Sequence, residues 1–165
     1  RLGINNMAAD KKSKSKVKPG KDNQPGFAIE KLYLKDVSVE VPNSPEIFTN
    51  REAPKISVEL NNETKPLADD FYEVSLQLTI TSKINDQTAF VVDLVQAGIF
   101  AIKNIPDEGM ETVLSITCPN VLFPYAREAI ANFTVKAGFN PVQLQPINFE
   151  VLYMQQKQKQ DTKKS

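Results

Sequence analysis

The sequence predicts an α+β fold: a four-stranded antiparallel sheet with helices packed on one face. Three observations carry this. Apolar residues recur at period two through the first two-thirds of the chain. "INDQTAF" places a hairpin turn between the last two strand-like runs. After Pro106 the apolar period becomes that of a helix. A chain of 165 residues is expected to form one domain.

Order is expected from Phe27. In "FAIEKLYLKDVSVEV", Phe27, Ile29, Tyr33, Val37, Val39 and Val41 share one phase, which Leu32 and Leu34 break, so either both faces are partly covered or a bulge intervenes. "PNSPEIFTNREAP" follows, where Pro42, Pro45 and Pro54 exclude regular structure around Ile47 and Phe48. "KISVELN" alternates Ile56, Val58 and Leu60 with polar residues. "DDFYEVSLQLTITSKI" turns Tyr72, Val74, Leu76, Leu78 and Ile80 inward, and Glu73, Ser75, Gln77, Thr79 and Thr81 outward. "TAFVVDLVQAGIFAI" is apolar at nearly every position and reads as a strand covered on both sides.

Pro106, Asp107 and Glu108 open a helix, since proline and acids suit the first turn. Pro119 should interrupt it, because a residue before proline avoids the α region. A second helix then places Leu122, Tyr125, Ala126, Ala129, Ile130 and Phe133 on one side and ends at Gly138. "NPVQLQ" is an extended link, and Pro146 opens a last helix, "INFEVLYMQQKQKQ".

Three segments result: 1–26, a disordered basic tail; 27–156, one ordered domain; 157–165, a flexible basic tail. Residues 1–26 carry seven Lys/Arg and two Asp, and 155–165 carry four Lys and one Asp, so 27–154 hold nine Lys/Arg against seventeen Asp/Glu, a net −8. Such a body repels nucleic acid and attracts basic protein partners. A basic tail either stays solvated or meets RNA or lipid headgroups. The chain has no secretory apolar core, and no apolar run approaches 18 residues, so no membrane insertion is expected. A single cysteine agrees with a reducing cytoplasm.

Absences narrow the chemistry. With no histidine, neither a Cys-His pair, a Ser-His-Asp triad nor a Cys/His zinc site can be built. The six glycines are scattered, so no phosphate-cradling loop is formed. Asp69 and Asp70 read as a strand start after a loop. Cys118 has no nearby base in the sequence and reads as a small core residue, although a helix N-terminus can activate a thiol. No catalytic residue, cofactor or metal is therefore expected. The apolar content points elsewhere. A strand covered on both faces and helices apolar over more than one stripe exceed what about 130 residues bury alone, which predicts oligomerisation and leftover apolar grooves under the Pro-rich loop.

Five blocks, "LYLKDVSVEVPNSP", "LADDFYEVSLQLTIT", "VQAGIFAI", "CPNVLFPYAREAI" and "PINFEVLYMQQ", occur in order and together resemble the SecB family of bacterial protein-export chaperones. The resemblance spans about 27–156 and implies a dimer of dimers, a homotetramer in which the long helices are sandwiched between two sheets. It implies an ATP-independent holdase in the cytoplasm. Such a protein keeps unfolded precursors from folding and passes them to SecA, the translocation ATPase. The alternative within the class is a SecB-like chaperone dedicated to one client such as an antitoxin. By the resemblance, Asp36 and Glu40 of "KDVSVE" and Val91 and Asp93 of "AFVVD" meet SecA. Ile47, Phe48, Ile56, Val58, Leu60, Phe149, Leu152 and Tyr153 line a client groove. The helix bearing Leu122, Tyr125 and Ala129 is expected to meet another subunit.

Overall fold

Four long strands form one antiparallel sheet in the order β1-β4-β3-β2, where β1 is Gly26–Glu40, β2 Lys55–Pro66, β3 Phe71–Ile84 and β4 Gln87–Lys103. The computed structural model describes residues 23–162. The readings of 1–22 and 163–165 lie outside the described residues. Helices α1 (Asp107–Thr112), α2 (Cys118–Lys136) and α3 (Phe149–Thr162) follow the sheet. Helix α3 thus includes 157–160, which the sequence assigns both to the end of the last helix and to the start of the tail, and runs on to Thr162.

Two hairpins set the register. Asn85 (φ 48°) and Asp86 (φ 64°) take positive φ, as a two-residue turn matched to strand twist requires. Asp69 (φ 45°) and Asp70 (φ 68°) do the same before β3, which gives that carboxylate pair its structural role. In β1 the register shifts between Ile29 and Lys31 and again between Leu34 and Asp36, where Leu32 and Leu34 broke the alternation.

The core lies between the inner sheet face and α2. Val74, Leu76, Leu78 and Ile80 of β3 and Val92, Leu94, Phe100 and Ile102 of β4 are fully buried. They meet a stripe at four-residue spacing on α2: Cys118, Leu122, Ala126, Ile130 and Thr134. The outer face differs from expectation. No helix covers it among the described residues, and Val91, Asp93, Val95 and Ile99 are half-buried there. The apolar run of β4 reflects its central place, where side chains of both flanking strands shield it. Ser75, expected outside, is buried among them.

Pro119 does not break the helix. Cys118 stays helical at φ −63°, ψ −46°, preceded by a π turn over Val113–Thr117 in which the Cys118 N–H bonds the Val113 carbonyl five residues back. The wider turn gives room to the ring, which in a regular helix would strike the carbonyl four residues before it. The Pro-rich loop also holds one 3-10 turn, Glu46–Thr49, which buries Ile47. The last helix starts at Phe149, later than Pro146: the Asn148 Oδ1 accepts the Val151 N–H at 3.1 Å and caps it.

Candidate functional site

Two surfaces stand out, one on each face of the sheet. On the inner face, α2 covers β3 and β4 but not the outer strand β2. Ile56 and Val58 are consequently 46% and 45% exposed. They floor an apolar cleft of about 1060 Å³. Its walls are the loop with Ile47 and Phe48, the extended link Phe139–Ile147, and Leu152 of α3.

The far wall is held by polar and aromatic contacts. Thr134 is buried, its Oγ1 donating to the Ala131 carbonyl at 2.9 Å and accepting the Val142 N–H at 3.0 Å, which fastens the link to α2. Phe139 packs against Phe48 (ring centroids 5.1 Å) and Phe90 (4.9 Å). Gly138 takes φ +93°, and a Cβ there would lie 2.9 Å from the Phe48 ring.

Of the eight expected groove residues, Ile47, Phe48, Ile56, Val58, Leu60 and Leu152 line this cleft. Phe149 instead lies in the core, 4% exposed and edge-on to Phe123 at 5.9 Å. Tyr153 turns away toward α1, its ring under the Lys157 ammonium at 4.8 Å, while Lys157 pairs with Glu111 at 3.2 Å. Phe90, Phe139, Val142 and Leu144 line the cleft without having been expected. The proline-flanked "NPVQLQP" was the available signal, since an extended apolar-polar alternation needs a surface to lie against.

On the outer face, the register brings Asp36, Glu40, Val91 and Asp93 together. Glu40 is opposite Val91, and Ser38 lies between Asp36 and Glu40, opposite Asp93. Asp36 and Glu40 are exposed, whereas Asp93 is half-buried and accepts hydrogen bonds from Gln77 Nε2 at 3.1 Å and Thr79 Oγ1 at 3.4 Å. Glu59 of β2 lies in the same row through Thr79. Beside this patch the Tyr33 hydroxyl donates to Glu73, which also pairs with Lys35 at 2.6 Å. The Lys35 and Tyr33 hydrogen bonds lower the Glu73 pKa. Burial, reinforced by the Glu73 carboxylate, pushes the Tyr33 phenol up to about 12.

The expected oligomer residues divide. Leu122 is wholly buried inside its own chain, so it cannot meet a partner, because the i+4 stripe that holds it faces the sheet. Tyr125 is 51% exposed beside that stripe, and Ala129 is half-buried. Cys118 is also wholly buried, and burial pushes its thiol up to about 12, the reverse of nucleophile activation. Among the described residues no cluster of three or more His, Cys, Asp and Glu side chains could hold a metal. None of the described helices is long and apolar enough to cross a membrane.

An apolar cleft on one face of the sheet and an acidic patch on the other are the surfaces of a binding protein. The profile of the family described as preprotein translocase subunit SecB matches residues 20–160. The protein-export protein SecB of Methylobacillus flagellatus is 54% identical over 139 residues, 84% of this chain and 88% of that one. That of Dechloromonas aromatica is 52% identical over 139 residues, 84% and 91% of the two chains. Among solved structures, the SecB-like chaperone of Mycobacterium tuberculosis in complex with a peptide from the HigA1 antitoxin has the same fold. Its TM-score is 0.62 at 16% identity, covering 73% of this chain and 90% of that one. The chain belongs to the SecB family.

Proposed function

We propose that the protein is a protein-export chaperone, not an enzyme, that holds unfolded precursors in the cytoplasm without ATP and delivers them to SecA. The observation that carries this is the cleft. Its lining is mainly aliphatic, aromatic and proline side chains, open along β2, whose outer edge has no partner strand among the described residues. An extended client can lay apolar side chains into such a cleft with little demand on sequence. Family membership and relatives named for protein export support the same reading.

The acidic face is the proposed SecA surface, through Asp36, Glu40, Val91 and Asp93. Unpaired carboxylates on a flat sheet steer a basic partner and add little to holding apolar clients. Assembly as a homotetramer, a dimer of dimers, would cover apolar groups that one chain leaves bare. These include Phe27, Ile29, Leu34 and Val39 of β1 and Tyr125 and Val135 of α2. The reading of a chaperone dedicated to an antitoxin is less favoured, since relatives at half identity are protein-export proteins while the antitoxin-bound neighbour is 16% identical.

Charge reversal separates the two surfaces. Asp36→Lys with Glu40→Lys is expected to weaken SecA binding about tenfold or more, with client affinity within about twofold of the parent, since the effect of surface charges falls off over a Debye length. Titration calorimetry with SecA, and separately with an unfolded precursor, reads both. Equal loss of both affinities would overturn the assignment of a separate SecA surface.

A further inference from the structure

The outer face carries its charge in a pattern that the chain's own N-terminal segment matches. Four rows cross all four strands: Ser57-Thr81-Val91-Glu40, Glu59-Thr79-Asp93-Ser38, Asn61-Gln77-Val95-Asp36 and Glu63-Ser75-Ala97-Tyr33. These positions hold the carboxylates of Asp36, Glu40, Glu59, Glu63 and Asp93 and no cation. Lys35, at the β1 bulge between the Tyr33 and Asp36 rows, is spent on Glu73 at 2.6 Å, and the other lysines lie beyond the rows: Lys55 and Lys83 at one end, Lys31 and Lys65 at the other. Four rows two residues apart extend about 20 Å along the strands, at about 3.3 Å per residue.

Residues 11–21, "KKSKSKVKPGK", contain six lysines and no acid. Lys12, Lys14, Lys16 and Lys18 recur at period two, so an extended backbone would present all four on one side. Their span in that form is again about 20 Å. The reach matches as well. The segment enters the fold at Gly26, opposite Lys103, at the end of β1 nearest the Tyr33 row. Lys21 to Lys11 lie six to sixteen residues before Phe27, or about 20–53 Å of extended chain, and Tyr33 to Glu40 lie six to thirteen residues after it, or about 20–43 Å along β1.

We propose that the lysine-rich segment 11–21 docks across the acidic outer face of its own sheet, screening it from other cationic ligands. The face is the one assigned above to SecA. The docking itself does not depend on which partner uses that face, so the two readings fail separately. An effective concentration near the millimolar range lets several weak ion pairs hold a tethered segment at low salt and release it at high salt.

The test uses the full chain. Ser15→Cys is labelled with a nitroxide, and Cys118, being wholly buried, leaves position 15 as the accessible thiol. Paramagnetic broadening is then read at the backbone amides of Ser38, Thr79 and Asp93, with α2 amides as reference. At about 20 mM salt their intensities are expected to fall at least about twofold relative to α2, and to recover at about 0.5 M salt as the Debye length shrinks. Neutralising the face with D36N, E40Q, E59Q and E63Q should abolish the loss at low salt. The salt series stands alone if that variant folds poorly. No selective loss at low salt, or a loss that survives 0.5 M salt or neutralisation, would overturn the proposal. So would an equal loss with nitroxide and isotope on different chains, which would assign the contact to a second copy.

Discussion

Gly138 joins the end of α2 to the wall of the cleft, and nothing with a side chain fits there. Its φ of +93° and the Phe48 ring 2.9 Å from a Cβ position both exclude alanine. Gly138→Ala is expected to cost about 1–3 kcal/mol in urea denaturation, in the range of single changes that strain a special backbone position. It should also shift Phe48 and weaken client binding. The glycine was legible as a helix terminator, but its pressure on Phe48 was not, because the two residues are 90 apart in sequence.

The Tyr33–Glu73–Lys35 cluster gives a pH signature. Glu73 is held below its ordinary value, so its stabilising contribution is present above the unfolded carboxylate pKa and is lost as pH falls through the depressed one. Tyr33 is raised, so its contribution is complete below the ordinary phenol value near 10 and is lost as pH rises toward about 12. Spectrophotometric titration should therefore show one of the four tyrosines ionising near 12, and Glu73→Gln should bring that step down.

At the scale of elements, α2 shows where sequence reasoning stops. The 100° step identified a helix, but apolar residues occupy more than one of its faces, so periodicity could not say whether Leu122 or Tyr125 meets the sheet. The sheet decides: the stripe through Cys118, Leu122, Ala126, Ile130 and Thr134 is buried and Tyr125 is left outside. Ile130→Ala is thus expected to destabilise the chain by about 2–5 kcal/mol, as a cavity-forming core change. Tyr125→Ala should leave the stability of the single chain almost unchanged and lower only the affinity between subunits, read by sedimentation over a dilution series.

Pro119 taught a related lesson. The rule about residues preceding proline is a local preference, and here it is overridden: Cys118 keeps helical φ/ψ, and the π turn before it makes room for the Pro119 ring. Strand order was likewise hidden. Alternation located four strands, and the Asn85-Asp86 turn joined β3 to β4, but β1 pairing β4 across the chain is a long-range choice. Period two places Asp36, Ser38 and Glu40 on one side of β1. The continuation through Asp93 to Glu59 needed the register.

For the whole molecule, the charge division and surplus apolar surface remain the most informative sequence features. Both now have positions. Asp36, Glu40, Glu59, Glu63 and Asp93 share one sheet face, and the apolar excess divides between a cleft beside β2 and bare groups on β1 and α2. The cleft's far wall was the least legible part, since Phe90, Phe139 and Leu144 meet only after the fold has formed.

The central claim is that this cleft holds unfolded clients while the opposite face does not. The most direct measurement is the refolding rate of a chemically denatured precursor in the presence of equimolar chaperone. It compares the parent chain, an Ile56→Asp/Val58→Asp cleft variant and the Asp36→Lys/Glu40→Lys face variant, each first checked for parental mass and thermal unfolding. The parent and the face variant are expected to slow refolding about equally, and the cleft variant to lose most of that effect. Refolding unaffected by the parent chain, or slowed as strongly by the cleft variant, would contradict it.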